Sequence, residues 1–281
     1  MNPWTTLGAV PPVDLVEMRL EFHYAVQLLA AFGQTLLDPV PDDSHRSMVW
    51  SGPDVSFSSS PLDGDPALRV TVTANLKASV RDGTEVRASR SLIGLTPDEA
   101  YAWLEGELAN ALGRDSLQLG RPEYEMPSRG VATGEPFGGT PSPALVELEA
   151  WFSNAGGVLD GLVSREDDAT PVRCWPHHFD LATLLVLDPE IGPAEGRSVG
   201  VGFSPGDEGI PEPYWYMRPY PDPGAHIQPE LPGGYWNTEG WFGAVLLGSA
   251  VVAAGSATDQ ESLTEAFVRE AVAAGRVSLG A

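Results

Sequence analysis

The chain lacks most of what announces an activity. One cysteine, Cys174, in 281 residues excludes an internal disulfide framework and thiolate zinc clusters, and it fits a reducing compartment. Basic residues are scarce: 16 Lys and Arg stand against 39 Asp and Glu, a net charge of −23. A chain this acidic repels phosphate backbones and anionic lipid, so no nucleic-acid partner is expected. No P-loop and no G-x-G-x-x-G opening a helix occurs, so no nucleotide cofactor is expected. The opening MNPWTTLGAVPPVDLVEM has no basic stretch followed by an apolar one, which reads as no secretory leader and a cytoplasmic protein. One long uncharged run exists, Gly240 to Thr258, but it holds four glycines and is flanked by Glu239 and Asp259 with no nearby Lys or Arg. Those are the wrong flanks for an anchored span, so the run reads as core strand or helix and no membrane is expected.

What is present is a globular pattern of alternating helix and strand signals. Val13, Val16, Leu20, Tyr24, Leu28 and Ala31 recur at helical spacing over Val13 to Leu37, and Pro39 and Pro41 end the run. Leu68 to Val80, LRVTVTANLKASV, alternates apolar and polar without error and predicts one half-buried antiparallel strand. Asp82-Gly83 then marks a hairpin, for which a three-residue loop pairing Val80 with Val86 keeps the apolar residues on one face. Thr96-Pro97-Asp98-Glu99 carries an N-cap, a proline at the first helical position and a capping-box glutamate. Ser142-Pro143 opens another helix, weakened by Gly156-Gly157, and strands follow at Val172 to Leu187, Ser198 to Phe203 and Pro213 to Arg218. A last helix starts at Asp259.

The expected fold is therefore α+β, with two similar halves that each pack an antiparallel sheet against flanking helices. Residues 1–118 form a first half without a site, 119–141 a Gly/Pro/Ser/Thr-rich linker, and 142–281 the half that carries the site. MVWSGPDVSF (48–57) lies over RCWPHHFDLAT (173–183) if Trp50 meets Trp175 and Asp54 meets Asp180, which raises an internal duplication.

Polar chemistry converges at CWPHHFD. On an extended strand Cys174, His178 and Asp180 share one face, while Trp175, His177 and Phe179 share the other, where His177 is expected as a packed core histidine. His178-x-Asp180 with a distant His226 has the form of a two-histidine, one-carboxylate site for a divalent metal, iron or zinc. The bland alternative is a buried hydrogen-bonded pair. Without metal, His178, Asp180 and Asp207 are the candidate catalytic groups. A second concentration, in 212–242, offers Tyr214, Tyr216 and Trp236 as flat platforms and Arg218 as an anion clamp for a small molecule.

The blocks WPHHFD (175–180), GFSPGD (202–207) and PYWYMRP (213–219) resemble those of a bacterial family of unassigned activity, a resemblance that implies grouping and no mechanism. Three functions remain open. The chain is an enzyme acting on a small polar molecule, a non-catalytic binding module for a sugar or aromatic acid or a protein partner, or a structural protein. Nothing in the residues fixes an oligomeric state.

Overall fold

The computed structural model describes residues 3–64, 67–128, 130–138, 142–192, 195–224 and 228–281. It is mixed helix and antiparallel sheet, and the packing divides it into two compact units. The first comprises Val16–Glu149 and Cys174–Phe179, the second Met1–Leu15, Ala150–Arg173 and Asp180–Ala281.

In the first unit, helix α1 (Val16–Leu36) lies against a sheet in the order β6-β1-β2-β3-β4-β5, where β1 is Met48–Ser51, β2 Ser56–Ser59, β3 Leu68–Thr73, β4 Lys77–Asp82, β5 Glu85–Ser91 and β6 Arg173–Trp175. Leu20, Phe22, Val26, Leu29 and Phe32 are all buried on α1. Inward residues of the strands, Met48, Phe57, Leu68, Val70, Val72, Ala78 and Val80, are buried as well, which is the two-residue period of a half-solvated sheet. Phe22 packs its ring on Phe57 at 5.5 Å and edge-on to Trp50 at 6.5 Å. Helix α2 (Pro97–Ala111) opens as its sequence predicts. Thr96 Oγ1 accepts from the Glu99 N–H at 3.2 Å, and the Glu99 carboxylate accepts from the Thr96 N–H at 2.8 Å.

Two expectations in this unit need correction. The alternating run 68–80 is two strands, because the chain reverses over Ala74 to Leu76, with Leu76 at φ 56° and its side chain turned inward. The turn preserves alternation across itself, so the pattern could not reveal it. The following hairpin pairs Asp82 with Glu85 across a two-residue loop, Gly83-Thr84, and places the extra residue in a bulge between the Val80–Ala88 and Arg81–Val86 pairs. With the bulge at Arg87, Val80 stands opposite Ala88 and not Val86, and Val86 lies exposed opposite Arg81.

Of the expected linker 119–141, residues 129 and 139–141 lie outside the described residues, and 119–128 and 130–138 pack in the first unit. Leu119, Val131 and Phe137 are buried, Gly120 N–H donates to Thr35 Oγ1 at 2.9 Å, and Phe137 exchanges backbone hydrogen bonds with Gly94 and Leu95.

The second unit contains helix α3 (Pro143–Val163) from Ala150 onward, followed by β7 (Asp180–Val186), β8 (Ser198–Ser204), β9 (Tyr214–Tyr220), β10 (Tyr235–Asn237) and β11 (Gly243–Leu247). Helices α4 (Gly248–Ala253) and α5 (Ala257–Ser278) close it. The strands are antiparallel throughout, in the order β7-β8-β9-β11-β10. Phe203 is the centre of its core, stacked on Trp151 of α3 at 5.8 Å and met edge-on by Phe152 at 5.6 Å. Gly156-Gly157 does not interrupt α3. The apolar run at 240–258 divides into β11 and α4, and among the described residues no helix is long and apolar enough to cross a membrane.

Candidate functional site

The strand expected over Val172 to Leu187 is two strands. β6 ends at Trp175, residues 176–179 turn, and β7 begins at Asp180. The strand-face pairing of His178 with Asp180 is thereby overturned. His178 lies exposed in the turn with the first unit, whereas Asp180 is buried in the second. His177, expected in the core, is also exposed. The physical cause is Phe179. Its φ of 57° is the left-handed region, which closes the turn ahead of β7, and its buried ring packs on Phe22 and Phe57, both at 5.5 Å. A left-handed non-glycine residue costs about 1–2 kcal/mol, and burying a phenylalanine ring returns about as much or more.

The turn is held from α1. The Phe179 N–H donates to Trp175 O at 2.7 Å, while the Pro176 carbonyl accepts from His23 Nε2 at 2.7 Å and from Gln27 Nε2 at 2.9 Å. Because a carbonyl only accepts, His23 carries its proton on Nε2. Its ring stacks on Phe179 at 5.0 Å with 4° between planes. Burial lowers the His23 pKa from 6.5 to about 4, opposed by the Pro176 hydrogen bond and assisted by Arg19, His177 and His178. Gln27 also accepts from the Tyr124 phenol, and burial raises that phenol's pKa.

Beside the turn is a recess of about 340 Å³ lined by Asp42, Asp43, Arg46, Tyr124, Trp175, Pro176 and His177, every one of them in the first unit. His177 sits on Tyr124 at 5.9 Å and on His178 at 4.2 Å. Partial screening from solvent by the recess walls lowers its pKa from the ordinary 6.5 even though part of the ring is exposed, with smaller pushes from His178 and Arg46 against a pull from Asp43. It is thus a neutral imidazole at pH 7, able to donate and to accept. Arg46 pairs with Asp43 at 2.8 Å, and Asp42 Oδ1 accepts from the Ser44 N–H at 3.1 Å.

The second unit gathers the other candidates differently. On β9 the phenol of Tyr216 crosses Gly202 of β8 and donates to Asp180 Oδ2 at the start of β7. A Cβ on residue 202 would stand 2.5 Å from the Tyr216 oxygen, so glycine is what lets the ring lie there. Tyr214 donates to Asp207 Oδ2 at 2.6 Å, and the other oxygen of Asp207 caps the Gly209 and Ile210 N–H groups at 2.7 and 2.8 Å. Both phenols have raised pKa values, by burial first and the carboxylates second. These bonds commit Asp207 to its turn. Arg218 is exposed on β9, and Trp236 donates to Pro229 O at 2.9 Å and stacks on Phe242 at 5.3 Å. His226, the expected distant ligand, lies outside the described residues. Among the described residues no three His, Cys, Asp or Glu side chains come together in a way that could hold a metal.

Sequence reasoning missed Asp42, Asp43, Arg46 and Tyr124, whose approach depends on chain folding alone. His23 and Gln27 did leave a signal: two polar residues four apart on the otherwise apolar side of a helix need partners indoors. No family model, curated protein or solved structure matches the chain.

Proposed function

We propose that this protein is a binding module for a small neutral polyhydroxylated molecule, a saccharide, which it holds in the recess beside the 176–179 turn. The observation that carries the reading is the lining: an indole and a phenol, two carboxylates, one guanidinium and a neutral imidazole in a space of about 340 Å³. That volume falls at the small end of ligand pockets and suits one ring. Sugars present an apolar C–H face to an aromatic ring and hydroxyls to charged acceptors, and Trp175 with Asp42 and Asp43 supplies both. An anion fits poorly, since the Arg46 charge is already matched by Asp43 and the chain carries −23 overall. Left-handed backbone occurs within the lining at Asp43 (φ 58°), as at sites whose geometry is held by their surroundings.

The test is a thermal-shift and calorimetry panel of neutral mono- and disaccharides at pH 7, run on the wild-type chain and on Trp175→Ala. A ligand at ten times its dissociation constant stabilises by about 1.4 kcal/mol, and the Trp175→Ala chain should lose the shift. A wild-type chain unmoved by every sugar at about 50 mM would remove the proposal.

Helix, antiparallel strands and helix follow one another in each unit, which supports reading the two as copies of one ancestral segment. Superposition of α1–β5 on α3–β11 tests this, and failure to align the strands in sequence order overturns it.

A further inference from the structure

Residues 3–8 have no regular secondary structure, yet two buried side-chain amides of the second unit read their main chain. Asn154 of α3 accepts from the Thr5 N–H at 3.0 Å and donates to Thr5 O at 2.8 Å. Gln260 of α5, with no exposed surface, accepts from the Leu7 N–H at 2.9 Å and donates to Leu7 O at 3.0 Å. Its oxygen also accepts from Trp4 Nε1 at 3.2 Å. Residues 5 and 7 are thus gripped on one side, the two-residue period of an extended chain. Leu7 is 4% exposed, whereas Thr5 and Thr6 face solvent. Gly8, at φ 106°, leaves no room for a side chain, since a Cβ there would be 2.6 Å from Val252 Cγ1 of α4.

A primary amide bound to both main-chain groups of one residue replaces the partner strand that an extended peptide would otherwise need, and it takes any residue at that position. Selectivity is left to the buried leucine and the glycine after it. We propose that the surface formed by α3, α4 and α5 is a peptide-binding site, occupied here by the chain's own residues 4–8. It takes a segment of a partner polypeptide with the same pattern, an aromatic residue followed three positions later by Leu-Gly. The intramolecular segment competes for the site at the high effective concentration of a tethered ligand, so a partner gains entry where the tethered copy is released.

The experiment uses the full-length chain carrying Trp4→Ala and Leu7→Asp, which vacates the site, and a fluorescein-labelled peptide PWTTLGAV. The vacated chain should bind the peptide saturably while the wild-type chain does not. Adding Gln260→Leu should weaken binding at least about tenfold. A peptide with alanine in place of its leucine should also weaken at least about tenfold, whereas serines in place of both threonines should change it less than about twofold. A folded vacated chain that shows no saturation up to about 1 mM peptide overturns the proposal. If the vacated chain does not fold alone, excess peptide should restore its cooperative melting transition, and no restoration likewise overturns it.

Discussion

The Tyr216 phenol lies over Gly202, its oxygen 2.5 Å from where a Cβ of residue 202 would stand, and from there it reaches Asp180. One missing side chain on β8 therefore sets the partner of a buried carboxylate on the neighbouring strand β7. Gly202→Ala should expel the ring and cost about 1–3 kcal/mol in urea unfolding. Tyr216→Phe should cost about as much by stripping Asp180 of a donor. The double variant should cost less than the sum, because the alanine has already broken the bond that phenylalanine removes.

His23 gives the first unit a pH dependence of definite sign. Its pKa is about 4 in the folded chain against an ordinary 6.5. The unfolded chain therefore binds the proton first as pH falls, and the stability present above pH 6.5 drains away between there and 4. Between pH 7 and 5 this one imidazole accounts for about 2 kcal/mol. His23→Gln should flatten that part of the stability curve measured by urea unfolding, and an unchanged slope would contradict the assignment.

At position 179 the usual order of substitutions should invert. Phe179→Ala empties a core site, at about 3–5 kcal/mol, and leaves an alanine in the left-handed region. Phe179→Gly empties the same site without that strain. The glycine chain should therefore be the more stable of the two by about 1 kcal/mol in parallel denaturant titrations.

Gln27 joins α1 to two outside neighbours, donating to Pro176 O as well as to His23 O of its own helix and accepting from Tyr124. Gln27→Leu leaves the phenol without that acceptor and the carbonyl with His23 alone, and should cost about 1–3 kcal/mol. The same change should loosen the Tyr124 wall of the recess and weaken any sugar that thermal shift detects.

The local signals in the sequence transferred to the structure, and the distant ones did not. Thr96 and Glu99 form their box because a cap is decided within four residues. The hairpin inside 68–82 was hidden because Ala74 and Leu76 keep the alternation of the strands they join. The strand expected through 172–187 breaks over 176–179, a turn whose left-handed Phe179 packs on aromatic rings more than a hundred residues earlier in the chain. His177 read as core for the same reason, since a face argument holds only while the strand continues. The recess was illegible because Asp42, Arg46 and Tyr124 have no spacing relation to Trp175.

The placement of Phe179 bears on how the chain is made. Its ring joins Phe22 and Phe57 in the first unit, yet a ribosome finishes Glu149 before it reaches Cys174. For that interval the nascent unit presents an open aromatic socket, a patch that invites chaperones or sticky neighbours. A fragment stopped at residue 149 should accordingly bind the dye ANS and aggregate on warming, and supplying CWPHHF as a separate peptide should suppress both.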